Sequence, residues 1–563
     1  MKKGILITIL VIVLLIVILA LIGGYVYIQF TREPHIPENS YLQIDLIGPI
    51  VDIDNSVLPK KRSIRELWFH IKRAKVDKRI KGIILKISFA YGGFAKVEDI
   101  GRLIKDFKES GKKVYAFIEG GDIRSYYLST FADKVYLFKG GYLILKGLAS
   151  EAIFLKKTLS KLGIQGEFFH IGEYKTGANM FTEESMTPAH KEAIEKLLDD
   201  IYLATLEGIA VNRNLDVETV RKVIEEQPFS NQACLEAKLV DGILYEDEIL
   251  ENSEEKYVTL SFDTYRQTSS PLPYRGFKKI AVIFASGEIH LGQSGRRSIY
   301  GGEIMGSATV AKQLKSVRKN RYVKAVVLRI ESPGGSGIAS DVIRREVELA
   351  ARKKPVVISM SDFTASGGYW IATPASKLMA LPQTITGSIG VLGGKFVLKG
   401  LYDKIGLNKE IVKTSQYADM FSDYRMFSRD ERDKIMELMK EMYRKFLNVV
   451  ATSRNMDIEA VDKIGRGRVW TGSTALKLNL VDKLGGLNEA VEEAKKLAKI
   501  PPEEEIGIII YPRRKTFFQR LMELMGEGSK ISPTNLVLSF EEKINMYKTF
   551  FPAYLLPYKI SIK

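Results

Sequence analysis

Residues 78–87 read KRIKGIILKI, and residues 321–330 read RYVKAVVLRI. The two stretches share one order of basic and branched apolar residues at an offset of 243 positions. Three further matches follow in the same order along the chain. YYLSTFADK (126–134) matches YWIATPASK (369–377) at the same offset, Met180-Phe181 matches Met420-Phe421 at 240, and Leu239-Val240-Asp241 matches Leu480-Val481-Asp482 at 241. Collinear matches with so little drift indicate an internal duplication, and a period this long means two copies of a domain rather than a solenoid.

Within each copy, short runs rich in valine and isoleucine alternate with segments of helical period. In the second copy the runs lie at 280–284, 325–328, 356–358 and 378–381, with helical periods at 309–319, 338–352 and 428–454. Runs that are apolar throughout, alternating with helices, predict an α/β fold with a mostly parallel sheet covered on both faces. Functional groups in such sheets collect at the carboxyl ends of strands. Both glycine-rich stretches of the second copy fall there.

The 563 residues are too many for one ordinary core. Cys234 is the only cysteine, which excludes an intrachain disulfide and a CxxC metal site. The histidines at 35, 70, 170, 190 and 290 show no metal-ligand spacing, so neither metal nor cofactor is expected. The net charge of +17 is spread along the chain among many acids, which reads as a solvated surface. No RNP, zinc-finger or P-loop pattern supports a nucleic-acid partner. Lys2 and Lys3 precede an apolar run at 5–22, resumed at 25–28 after Gly23-Gly24. A secretory signal has an apolar core of only about 7–15 residues, whereas a spanning helix needs about 20. A retained transmembrane anchor is expected, with cleavage near 20–24 as the alternative. The lysines, with Tyr25 and Tyr27 at the far interface, orient the N-terminus to the cytoplasm and everything after about residue 33 to the outer face.

ESPGGS (331–336) ends one strand of the second copy and TASGGYW (364–370) another. Taken alone, the first reads as a tight turn. Paired glycines also leave backbone N–H groups free, so facing a serine between small residues the two resemble an oxyanion hole and a nucleophile. A serine needs a base, and no histidine lies near either stretch. The other base used with serine is a lysine whose ammonium is destabilised by burial. Lys175, in GEYKTGA (172–178), reads by itself as a surface lysine. The duplication adds that Lys175 stands opposite Ser415, and Ser366 opposite Ile123. Each copy keeps one half of a possible serine–lysine pair.

With TITGSIGV (384–391) and EYKTGANMF (173–181) added, the chain from the anchor to about residue 500 resembles the long, duplicated form of the signal peptide peptidase A, or protease IV, family. The resemblance implies two tandem α/β domains of the Clp-protease/crotonase superfamily behind an N-terminal transmembrane helix. It implies Ser366 as nucleophile, Lys175 as general base and Ser388 as a serine orienting the lysine, although Ser388 also reads as a turn residue. Backbone N–H groups of Gly334 and Gly367 would form the oxyanion hole, with Gly335 the near alternative to Gly334. The first copy keeps glycines in Tyr91-Gly92-Gly93-Phe94 but no serine. The resemblance further implies a bowl-like homotetramer in the cell (inner) membrane, its catalytic domains on the periplasmic or extracellular side, cleaving leftover signal peptides with small or apolar residues at the scissile bond.

The expected organisation is 1–32 anchor, 33–272 first repeat with the base, 273–500 second repeat with the nucleophile, and 501–563 C-terminal extension. In the extension, Phe517, Phe518, Leu521, Leu524 and Met525 recur at helical spacing, as a helix packed on its own domain or one lying in a membrane interface. The competing readings are a noncatalytic membrane scaffold or peptide-binding module of the same fold, and a crotonase-like acyl-CoA enzyme. The latter is disfavoured by the anchor and by the missing acid/base carboxylate pattern.

Overall fold

Branched apolar runs become the inner strands of two sheets. The computed structural model describes residues 13–15, 17, 18, 21, 33–54, 61–226, 230–251, 257–269, 271–295, 303–513 and 553–555. Most of the predicted anchor and the helical spacing at 517–525 lie outside the described residues. Among the described residues no helix is long and apolar enough to cross a membrane.

The first sheet runs Arg62–Ser63, Ser40–Val51, Ile80–Tyr91, Lys113–Asp122, Lys134–Ile144, Gly242–Leu244, every pair parallel. The second runs Val469–Thr471, Ile385–Gly387, Val356–Ala365, Val323–Ser332, Lys279–Ser286, Gly507–Tyr511, parallel except at its first pair. Its outermost strand thus comes from beyond residue 500. A third sheet contains Gly334–Ser336, Ala553–Leu555, Val391–Val397 and Gln165–Ile171 in that order, so a strand of the first repeat sits beside one of the second.

The offsets read from sequence recur as contacts. Helices Phe94–Lys108 and Gly337–Ala351 lie 243 positions apart, and the 26-residue helices Pro188–Arg213 and Arg429–Arg454 lie 241 apart. Tyr126 Oη donates to Leu239 O at 2.8 Å, and Tyr369 Oη to Leu480 O at 2.7 Å. Arg213 pairs with Asp241 and Arg454 with Asp482, each aspartate also accepting a strand N–H, from Val135 and Leu378. Both copies therefore reuse one packing solution.

The two sheets do not have separate cores. Side chains alternate across a strand, and Ala325 and Val327 join the same buried cluster as Leu85 and Ile87 of the first repeat, whereas Val326, Leu328 and Ile330 face a second cluster. Continuing along the shared face, Arg329 is fully buried. Its Nε lies 2.8 Å from Asp52 Oδ1 and its Nη2 2.8 Å from Asp99 Oδ2, both in the first repeat. Lys96 of the first repeat reaches Asp362 at 2.6 Å and Glu331 at 2.9 Å in the second. These charges tolerate burial because each has an opposite partner.

One contact in this cluster shows how the copies diverged. Ser336 caps the helix Gly337–Ala351, its Oγ accepting from Ala339 N at 3.3 Å. The equivalent helix Phe94–Lys108 has Gly93 at the cap and no side-chain cap of its own. The second repeat supplies it: Asp362 accepts from Gly93 N at 3.0 Å and from Lys96 N at 2.9 Å. The carboxylate meets the orphan N–H groups and the positive end of a 15-residue helix. A Cβ on Gly93 would lie 2.2 Å from Asp362 Cγ. Gly93→Ala is therefore expected to destabilise the chain by about 1–3 kcal/mol, measured by denaturant unfolding. Gly92→Ala, whose Cβ would make ordinary contacts at 3.6 and 3.7 Å, is the control and is expected to stay within about 0.5 kcal/mol of the parent.

Candidate active site

Strand Val356–Ala365 hands over to helix Gly367–Ala372 through Ser366, whose φ of 57° and ψ of −115° suit glycine better than serine. Neighbouring bonds hold this strained corner. Ser366 N donates to Gly387 O at 2.8 Å, and Trp370 N donates to Ser366 O at 2.9 Å. Thr364 Oγ1 donates to Ile330 O at 2.9 Å, and Thr386 Oγ1 to Thr364 O at 2.7 Å. A Cβ on Gly367 would lie 2.6 Å from Ser340 Oγ, so the residue after the serine must lack a side chain. Strain of this kind costs on the order of 1–3 kcal/mol and persists where surroundings over-determine it.

Lys175 arrives from the first repeat. Its strand, Gln165–Ile171, pairs antiparallel with Val391–Val397 along its whole length. The chain then turns at Gly172, with φ 99°, where a Cβ would meet Arg466 C at 2.2 Å. Tyr174 N donates to Arg466 O at 3.0 Å, and a Cβ on Gly467 would lie 2.5 Å from Lys175 Cβ. The second repeat's 465–468 loop thus clamps the lysine. Nothing in the sequence marked Gly467 for this, because the approach joins residues nearly three hundred positions apart.

The structure brings Lys175, Ser366 and Ser388 together, all three fully buried. Lys175 Nζ lies 2.7 Å from Ser366 Oγ, 2.9 Å from Ser388 Oγ and 3.1 Å from Ser388 O. Burial pushes the lysine ammonium well below its ordinary range. Ser388 has φ 54°, and its N–H donates to Arg468 O at 2.7 Å, so the serine is held from behind while its own oxygens face the amine. Of the residues standing opposite the pair in the other copy, Ile123 is buried and Ser415 is exposed.

The glycine strand Gly334–Ser336 lies beside this corner. Gly334 N donates to Ser332 Oγ at 3.1 Å, a local serine turn that the S-x-G spacing could have suggested. Gly335 N instead lies near Gly367, 3.3 Å from where a Cβ on that residue would be. Gly335 has φ 153°, and its own Cβ would come within 2.2 Å of Ile289 O. The N–H groups of Gly335 and Gly367 therefore come from neighbouring backbone next to Ser366.

The backbone at 366 makes a prediction independent of chemistry. Ser366→Gly is expected to unfold at a higher temperature than Ser366→Ala, the reverse of the usual entropic order, because only glycine relieves the positive φ. Differential scanning calorimetry of the two variants measures it. An alanine variant equal to or above the glycine variant would mean that the corner stores no strain.

Against known proteins, peptidase family S49 matches residues 106–259 and 348–501, one match in each repeat. The chain is 33% identical over 508 residues to the chloroplastic serine protease SPPA of Arabidopsis thaliana, covering 88% of this chain and 74% of that protein. It is 33% identical over 461 residues to protease 4 of Salmonella typhi, covering 78% and 73%. Protease 4 of Haemophilus influenzae is 31% identical over 466 residues, covering 79% and 75%.

Proposed function

The chain belongs to peptidase family S49 and is a serine endopeptidase, and from that premise we propose that it cleaves peptides with a Ser366/Lys175 dyad assembled from both repeats. The observation that carries this reading is the 2.7 Å approach of Lys175 Nζ to Ser366 Oγ in a fully buried setting. A neutral amine has two N–H bonds and one lone pair. Two donations to Ser388 O and Oγ leave the lone pair for the Ser366 hydroxyl proton, so Ser388 orients the base.

Lys175 takes the proton as Ser366 Oγ attacks the peptide carbonyl carbon. The resulting oxyanion is met by the N–H groups of Gly367 and Gly335, since that of Gly334 already serves Ser332. As the C–N bond breaks, the leaving amine receives the proton from Lys175. A water then gives a proton to Lys175 while attacking the acyl ester, and the proton returns to Ser366. Each oxyanion donor in such a site is worth roughly 10²–10³ in rate.

Substrate and setting complete the proposal. Residues 1–32 anchor the chain in the cell membrane with both repeats outside the cytoplasm, and the substrates are apolar peptides left in the membrane, such as cleaved signal peptides. The apolar run at 5–22 supports the anchor, and a homotetramer on the membrane remains the expected assembly.

Hydrolysis of a fluorogenic apolar peptide by the detergent-solubilised full chain tests the dyad. Ser366→Ala and Lys175→Ala are each expected to lower kcat/KM by roughly 10⁴ or more, and Ser388→Ala by a smaller factor. Full activity in Lys175→Ala would sink the assignment, and failure of a serine-directed acylating probe to label Ser366 would favour the noncatalytic scaffold. The parent's kcat/KM should rise with pH through the lowered lysine value and then level, because only the neutral amine accepts a proton.

Stability carries the same sign. Between the lowered folded value and the ordinary unfolded one, the unfolded chain binds the extra proton, so the parent gains stability as pH rises. Lys175→Met lacks that slope. Its melting temperature relative to the parent should therefore be higher at pH 6 than at pH 9, and the opposite order would mean that the buried amine is charged.

A further inference from the structure

The strand Ala553–Leu555 lies between the two edges that flank the candidate active site. It runs antiparallel to the glycine strand, Leu555 opposite Gly334, Tyr554 opposite Gly335 and Ala553 opposite Ser336. On its other side Ala553 pairs with Leu392 of Val391–Val397, the strand that also carries the lysine's strand. It packs in addition on helix Gly367–Ala372, which begins at the residue after Ser366. Without it, the facing edges of Gly334–Ser336 and Val391–Val397 have no strand partner on that side. An extended peptide added to open sheet edges, held by main-chain bonds, is a standard mode of peptide recognition.

The occupant is the chain's own segment. Residues 552–557 read PAYLLP, a short apolar stretch bracketed by two residues that cannot donate to a ladder. The 39 residues between Arg513 and Ala553 can span up to roughly 130 Å, ample to bring the segment to its own site. Ser366, Lys175 and Ser388 are fully buried in this arrangement, so an outside peptide would have to displace the strand.

We propose that the chain's own C-terminal segment occupies the peptide slot and is its first substrate, cleaved by Ser366 of the same chain between Tyr554 and Leu555. The proposal rests on the dyad reading above. The register chooses the bond: Tyr554 faces Gly335, whose N–H stands beside that of Gly367, so the carbonyl of Tyr554 is the one aligned with both donors. Ser366 Oγ bonds to the Tyr554 carbonyl carbon, and the bond to Leu555 N breaks. The new amine takes the proton that Lys175 removed from Ser366. Water hydrolyses the ester, leaving Tyr554 as a free carboxylate and opening the slot to other peptides.

Intact-mass spectrometry of the detergent-solubilised full chain tests this. The parent is expected to end at Tyr554 and Ser366→Ala at Lys563, and adding trimmed parent to full-length Ser366→Ala should leave that variant untrimmed. The self-cleavage is overturned if a parent that hydrolyses the fluorogenic peptide still ends at Lys563, or if its cut falls at another bond. It is equally overturned if Ser366→Ala loses the same residues, alone or when mixed, since another protease or another copy then makes the cut. A parent that neither hydrolyses the fluorogenic peptide nor reacts with the acylating probe fails at the dyad itself, and the self-cleavage falls with it.

Discussion

A lysine amine stays neutral at moderate pH only where water is excluded and no carboxylate compensates the charge. Lys175 meets that condition at the meeting of two repeats, neither of which could create it alone. The first contributes the lysine and the strand that delivers it; the second contributes both serines, the clamp at Arg466 and Gly467, and the partner strand Val391–Val397. Removing any of these would let water reach the amine and restore its ordinary affinity for a proton.

The same interface holds a lysine with the opposite fate. Lys96 is as inaccessible as Lys175, and burial again disfavours its charge, yet Asp362, Glu331 and Asp52 outweigh that and hold its value above the ordinary range. Burial pushes Glu331 up to about 7 and Asp99 to about 6, so the four carboxylates around Lys96 and Arg329 need not all be charged. One lysine cements the two repeats as an ion and the other serves as a base. Asp362 links the two settings: it caps a helix of the first repeat and stands four positions before Ser366 on the nucleophile's own strand.

Much of this was legible because duplication made the chain its own comparison. The offset near 243 located equivalent strands and helices, and the contrast of Ser366 with Ile123 and of Lys175 with Ser415 proposed a split site before any distance was known. Equivalent positions that had ceased to match were harder to read. Gly93 opposite Ser336 looked like a lost serine, whereas it is the opening that admits Asp362. Residues 553–555 attracted notice only as part of an apolar tail, because a three-residue strand has too little period to announce itself and its partners lie more than 150 positions away.

By itself the sequence determined the repeated α/β architecture, the strand-end placement of the glycine-rich corners and the identity of the residues able to act there. These depend on local period and on residue types that few backbone conformations accept. Tertiary structure alone decided that the lysine's strand joins the other repeat's sheet, that the second oxyanion donor is Gly335 because Ser332 engages Gly334, and that the amine sits 2.7 Å from the serine without a counter-charge. Distances and desolvation belong to the packed whole, since they arise only when segments remote in the chain exclude water from one another.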